Sequence, residues 1–320
     1  MAALYKLWLV IHAMKQNILT FFKGMAMGAA DVVPGVSGGT IAFITGIYDT
    51  LLESIRRVNP SIISLWRREG FGAVWQHVNG TFLASLLTGI LTAILTLAKA
   101  VSYALENHPI VIWSFFFGLI IASAIHMIKQ VEKWSAGEIV LAIAGAIFAY
   151  GITVANPISM EFSMLTVFIA GSIAICAMIL PGISGSFILL LLGMYAPVLD
   201  AVKSFNIPIL ALFALGCLAG ILSFSHVLSW LLNNFRSLTI AFLTGLLIGA
   251  LGKVWPWKEA ISFRVNSSGE QVPLVEKVLS PGAFEAATGQ PALMGTAIVM
   301  MIVGFALVIG LEKVSEKLAD

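Results

Sequence analysis

The stretch VVPGVSGGTIAFITGIYDTLLESI, residues 32–55, has a second copy in ILPGISGSFILLLLGMYAPVLDAV, residues 179–202. Without a gap, Pro34 falls on Pro181, Gly46 on Gly193, Tyr48 on Tyr195 and Leu52 on Leu199. The register extends outward, with Gly24 on Gly171 and Asn59 on Asn206. Matches of this density in one register define an internal repeat. In each copy a proline and a group of glycines interrupt an apolar run. One helical arm should therefore end before the Pro-Gly pair and a second should start just after it.

The surroundings of both copies are apolar. Hydrophobic residues make up 59% of the chain and charged ones 11%, against about 45–50% and about 25% in ordinary soluble domains. Several runs approach the roughly 20 residues a helix needs to span a bilayer. The fold class is therefore an all-α polytopic membrane protein. A net charge of +2 speaks against a nucleic-acid partner. The opening residues are broken by Lys6 and His12 and lack a small-residue cleavage site, so they do not resemble a cleavable signal. Cys176 and Cys217 sit inside apolar runs and read as packed thiols. No His/Cys/Asp/Glu set has ligand spacing, and neither a metal nor a cofactor is expected.

The chain divides into repeat 1, 1–155, and repeat 2, 156–320. Residues 1–15 read as a short helix at the membrane surface. The first hairpin covers 16–55. An interfacial helix over 60–79 carries Arg67 and Arg68 beside Trp66, Phe71 and Trp75. Spanning helices follow near 80–105, 109–129 and 136–155. The second half repeats the plan, with a hairpin over 160–204 and helices near 207–232, 237–253 and 291–312. Beyond the hairpins Gly89 aligns with Gly216, Gly118 with Gly245 and Gly145 with Gly304. The polar segment 254–290 is an insertion, and its alternation around Ser268-Gly269 suggests a β-hairpin.

Parity sets the topology. A hairpin returns to its starting side and three helices cross an odd number of times, so the halves should be inverted relative to each other. With both termini cytoplasmic, twelve basic residues lie on that side and six on the other, as the positive-inside bias requires. The arms 164–180 and 186–199 would be roughly 25 and 21 Å long, short for a core of about 30 Å. Re-entrant hairpins with their tips near the midplane are expected.

A helix that begins after each Pro-Gly turn points unpaired amides and the positive end of its dipole at the tip. Glycines there let a ligand approach the backbone, and serine and threonine add hydroxyls. The candidate site thus comprises Pro34, Gly35, Ser37, Gly38, Gly39 and Thr40 with Pro181, Gly182, Ser184, Gly185 and Ser186, and its chemistry suits a phosphate or carboxylate. The alternative for one such motif alone is a packing kink. Asp31, three residues before the first turn, either carries a coupling proton or bonds the loop amides and holds the tip in shape; its aligned residue is Met178. Lys23 either attracts an anion or snorkels to the interface. Arg56 and Arg57 either meet a lipid headgroup or supply the positive-inside signal. Lys99 and His226, at equivalent repeat positions, either capture headgroups or anchor helix ends. His126 reads as an interior polar contact.

GMAMGAADVVPGVSGGTIAFITGIYD, paired with LPGISGSFILLLLGMY, resembles the polyprenyl-phosphate transporter family of bacterial inner-membrane proteins. The resemblance covers about residues 15–312. It implies translocation of undecaprenyl phosphate, returning the carrier lipid to the cytoplasmic leaflet for cell-envelope polysaccharide synthesis. Partners would be that lipid and the surrounding membrane lipids, and a homo-oligomer is left open. The plan is also similar to membrane carrier-lipid pyrophosphatases with a PGxSRS-like motif. Here Gly38-Gly39 and Gly185-Ser186 replace the arginine, and no acidic pair lies nearby for general acid–base work. An enzyme of that type, or a carrier of small soluble anions, is the competing expectation.

Overall fold

A computed structural model describes the backbone at every position except 34, 35, 156, 159, 266–270 and 320, and leaves out in addition the side chains of 2–13, 98, 264, 265, 271, 272, 274 and 314–319. Repeat 1 comprises α1 (Ala2–Asp31), α2 (Gly38–Ile44), α3 (Tyr48–Arg56), α4 (Ser61–His77), α5 (Gly80–Asn107), α6 (Pro109–Gln130) and α7 (Ala136–Val154). Repeat 2 comprises α8 (Met164–Ile179), α9 (Gly185–Leu191), α10 (Tyr195–Lys203), α11 (Ile207–Asn234), α12 (Arg236–Ala250) with a 3-10 turn (Leu251–Val254), strands β1 (Lys258–Val265) and β2 (Gln271–Val278), α13 (Pro281–Thr288) and α14 (Met294–Ala319). The strands pair antiparallel, as the alternation in 261–275 suggests; the Ser268-Gly269 turn lies outside the described residues.

Helix boundaries follow local chemistry. Pro109 starts α6 where its missing N–H costs nothing. Ser135 and Glu138 form a capping box at the start of α7. Two elements differ from the sequence-based expectation. The opening 15 residues are not a separate surface helix, because α1 runs unbroken for 30 residues. The second arm of each hairpin is not one helix either. Gly46 and Gly193 adopt φ of 70° and 71°, left-handed values that glycine tolerates, and each ends a seven-residue helix. Beyond Gly193 the chain turns sharply, with α9 and α10 bent by 111°.

Six helices among the described residues are long and apolar enough to cross a membrane: α5, α6, α7, α11, α12 with its 3-10 extension, and α14. They expose large apolar side chains, including Leu95 at 81%, Ile147 at 67% and Ile302 at 61%. Only an apolar solvent makes so large an apolar surface favourable, and the chain is a multi-pass membrane protein. α4 buries no residue and exposes Trp66 and Phe71 beside Arg67 and Arg68.

The halves repeat their packing as well as their sequence. α1 lies on α5 as α8 lies on α11, while α6 packs on α14 and α7 on α12. The third spanning helix of each half thus packs on the second of the other half, which interlocks the repeats. The aligned glycines mark these contacts. A Cβ at Gly89 would sit 2.1 Å from the Phe21 carbonyl oxygen, and one at Gly216 would sit 2.2 Å from that of Phe168. A Cβ at Gly118 or Gly245 would likewise sit 1.9 or 2.0 Å from the carbonyl oxygen of Met301 or Ala142. Small residues let backbones approach closely where lipid offers no hydrophobic drive. The free cysteines fill the α8–α11 contact, with Cys176 Sγ 3.5 Å from the Gly220 carbonyl and Cys217 Sγ 3.4 Å from that of Gly171.

Gly118→Ala and Gly245→Ala should each destabilise the folded protein by about 1–3 kcal/mol, read as a lower melting temperature in detergent. Gly151→Ala, where nothing lies within 4 Å, is the control and should leave the melting temperature unchanged or slightly raised.

Candidate functional site

The two glycine-rich loops meet, and among the described residues the side chains that bond across come from the first hairpin. Ser37 caps α2 by accepting from the Gly39 N–H at 3.1 Å. Its single hydroxyl proton is shared across the seam between the carbonyls of Met178 and Leu180, at 3.0 and 3.1 Å. Thr40 Oγ1 accepts from the Gly182 N–H at 3.1 Å, and the Tyr48 hydroxyl donates to the Ile179 carbonyl at 3.2 Å. Gly39 lets this seam close, since a Cβ there would sit 2.2 Å from the Ile179 carbonyl oxygen. Gly182 holds φ at 83°, which shapes the second loop against Leu246 and Leu247 of α12. Pro181 is buried beside it. Pro34 and Gly35 lie outside the described residues.

The tips are alike in sequence and unlike in electrostatics. Asp31 Oδ1 accepts from the Gly38 N–H at 2.7 Å. This is the contact that the tip-holding alternative for Asp31 requires. Lys23 Nζ donates to the Thr45 carbonyl at 2.6 Å. α1 therefore places a carboxylate at the positive end of the antiparallel α2 and an ammonium at its negative end. Eight residues of α1 rise about 12 Å, which matches the length of α2 with its cap. Each pairing with a helix end contributes about 0.3–2 kcal/mol. In the second hairpin the aligned residues are Ala170 and Met178, which supply neither charge. Among the described residues no side chain caps the start of α9. There the Ser184 and Ser186 hydroxyls bond each other at 2.9 Å. α2 is buried throughout, whereas Ser186 is exposed.

The remaining predicted positions lie apart from the tips. Arg56 and Arg57 pair with Glu53 at 2.9 and 3.3 Å, and Arg57 also donates to the His77 carbonyl. Together with Asp49, Asn79, Ser229 and Asn233 they line a polar cavity of 520 Å³. Asp49 binds Arg236 at the start of α12, at 2.9 Å. Lys99 is exposed on α5. His226 is exposed on α11 and meets the carbonyl of Leu222 in its own helix at 2.7 Å. His126 is an interior polar contact, between Gln130 at 2.7 Å and Glu312 of α14 at 2.9 Å.

Sequence reasoning missed Tyr48, whose repetition as Tyr195 was the available signal. It also missed Lys253, whose ammonium lies 4.9 Å from the centre of the Phe187 ring, one residue past Ser186. Nothing in the local sequence links that lysine to the hairpin.

Residues 27–272 match a family model described as undecaprenyl phosphate translocase-like. The chain belongs to that family. A polyprenyl-phosphate transporter of Vibrio cholerae is 62% identical over 298 residues, covering 93% of this chain and 97% of the relative. A polyprenyl-phosphate transporter of Staphylococcus aureus is 33% identical over 261 residues, covering 74% and 86%. No solved structure matches the chain. The family match takes in both glycine-rich loops and all of α2 to α12.

Asp31→Asn keeps an acceptor for the Gly38 N–H and should stay folded. Asp31→Leu removes it and should cost about 1–3 kcal/mol, which thermal unfolding in detergent will measure. Ser37→Ala loses both a cap and the shared bond across the seam, and should cost more than the roughly 1 kcal/mol of a simple cap.

Proposed function

We propose that this protein translocates undecaprenyl phosphate across the bacterial inner membrane. It returns the carrier lipid to the cytoplasmic leaflet, where cell-envelope polysaccharide synthesis consumes it. Family membership and the names of the two relatives favour a polyprenyl phosphate as cargo. The observation that carries the reading for these residues is the asymmetry of the tips. One glycine-rich loop holds its own carboxylate, and its mirror copy has hydroxyls and an uncapped helix start with no internal anion.

A phosphate monoester carries one to two negative charges, and bringing them unassisted into hydrocarbon would cost many kcal/mol. Ser184, Ser186 and the amides that follow replace the water shell while the polyprenyl tail stays in lipid. The first tip, through Ser37, Gly39 and Thr40, buttresses the loop at Pro181 and Gly182. On this reading the halves are inverted repeats with re-entrant hairpins and both termini lie in the cytoplasm. Contacts with α12 support the inversion: Asp49 of α3 binds Arg236 at its start, while Phe187 of α9 meets Lys253 past its end. The cavity at Arg56 and Arg57 then opens to the cytoplasm and receives the headgroup on release. Rocking of the interlocked halves exposes the second tip to one leaflet at a time.

Catalysis has no comparable support. The Ser37 hydroxyl is directed at two carbonyls and that of Ser184 at Ser186, and neither meets a base that would activate it as a nucleophile.

Proteoliposomes with a headgroup-labelled polyprenyl phosphate test the proposal. The wild-type protein should move the lipid between leaflets, and free phosphate should not compete. Ser184→Ala combined with Ser186→Ala should slow transfer. Met178→Asp, which gives α9 the internal anion that α2 has, should slow it by about tenfold or more, one tenfold step being about 1.4 kcal/mol. A wild-type protein that moves no lipid phosphate, or that releases phosphate from undecaprenyl pyrophosphate, would reject the reading.

A further inference from the structure

The segment between α12 and α14 carries a buried cluster that the proposed function does not use. Lys253, at the end of α12, and Lys258, in β1, share one carboxylate. Glu276 Oε2 lies 3.0 Å from the Lys253 ammonium, and Glu276 Oε1 lies 3.2 Å from that of Lys258. The Lys258 ammonium also donates to the Lys253 carbonyl at 3.0 Å and sits 3.8 Å from the centre of the Trp113 ring. Side-chain exposure is 15% for Lys253, 5% for Lys258 and 17% for Glu276. Among the described residues, two cations meet one anion, which leaves a net charge of +1 in a largely desolvated place.

The cluster is held rigidly. Trp255 donates to the Leu279 carbonyl and Trp257 to that of Ala292, each at 2.8 Å. Trp257, Phe284 and Ala297 form a small core of their own beneath it. Anchoring β2 to the end of α12 requires one ion pair. A second lysine brought to the same carboxylate adds the desolvation penalty of another cation without another partner charge. Such an arrangement is favourable when it receives an anion. Its position is informative: Lys253 faces the ring of Phe187, directly after Ser186 on the uncapped tip.

We propose that Lys253 and Lys258 form an outward-facing capture site for a phosphate monoester headgroup, with Glu276 as the internal counter-ion that the phosphate displaces. The inference rests on the translocation reading for its orientation and extends it by naming where the headgroup is held before it reaches Ser184 and Ser186. Phosphate competes with Glu276 for the ammonium groups, so an empty site stays neutralised in part and the incoming dianion gains both lysines. Burial pushes the Lys258 ammonium down to about 8, against the opposing pull of Glu276. Burial would raise the Glu276 carboxyl, yet the two ammonium groups outweigh it and hold it below its ordinary value. The groups facing Lys258 are Glu276 from β2, Lys253 from the end of α12 and the Trp113 ring from α6. The net positive charge is therefore present below pH ~8 and is lost as pH rises through it.

The test measures binding of polyprenyl phosphate, uncharged polyprenol and inorganic phosphate to the full chain in nanodiscs, with melting temperature in parallel. Lys258→Met and Lys253→Gln should each weaken lipid-phosphate binding by about tenfold, the scale of one charge-assisted bond, and Lys253→Arg should restore it. Glu276→Gln should tighten binding even as it lowers the melting temperature, because the competing carboxylate is gone. Wild-type affinity should fall between pH 7 and pH 9, although the phosphate itself becomes no less charged. Should Lys258→Met fail to fold, Lys253→Gln, Glu276→Gln and the wild-type pH profile decide. Unchanged affinity in the lysine variants, or weaker binding in Glu276→Gln, would reduce the cluster to an anchor and overturn the proposal. Saturation by inorganic phosphate with the lipid excluded would overturn the headgroup assignment. A wild type that binds lipid phosphate through the lysines yet translocates none would remove the transport reading and leave this site standing.

Discussion

Polar backbone groups at membrane depth have to find partners within the protein, since hydrocarbon offers none. On the proposed re-entrant arrangement the two broken hairpins face this constraint at their tips, where Ser37, Thr40 and Tyr48 bond the second loop. The spanning helices act as a frame around that seam. Their glycines bring the backbones close, and the crosswise pairing of α6 with α14 and α7 with α12 ties each half to the other. A repeat that could separate freely would leave carbonyls at 178–180 without their donors.

The division of labour between the tips follows from two positions. Asp31 and Lys23 complement the ends of α2, and their aligned residues Met178 and Ala170 leave α9 without that complement. Duplication gives two equivalent loops, and in the proposed mechanism the two charged side chains on one arm make that loop structural. The other, on the same proposal, keeps its donors for a ligand. The anionic cargo expected from the family is the kind of group such a loop accepts.

Much of the fold was legible in the sequence. The period of the repeat, the six long spans and the β-strands followed from apolar runs, proline and glycine placement and alternation. The glycine pairs at 89/216, 118/245 and 145/304 were visible as matches, but only packing shows that each meets an equivalent carbonyl. The unbroken α1 was hidden because Lys15 and Gln16 look like an interfacial boundary, whereas both sit exposed in the middle of one long helix. The bends at Gly46 and Gly193 were hidden because single glycines are common in membrane helices, and their positive φ is a property of the folded turn. Asp31 stood out as a charge in an apolar arm. Its bond to Gly38 depends on how the chain doubles back, which spacing alone does not fix. Lys253 and Glu276 are joined only through β1 and β2, so their meeting could be seen only in three dimensions.

The most direct test of the account is a distance. Bound polyprenyl phosphate in nanodiscs, observed by 31P–15N dipolar recoupling against amides labelled selectively at glycine or serine, reports which backbone donors touch the headgroup. The account predicts dephasing from Gly185 and Ser186 of the second tip and none from Gly38, whose N–H is held by Asp31. Dephasing from Gly38 with none from Ser186 would contradict it.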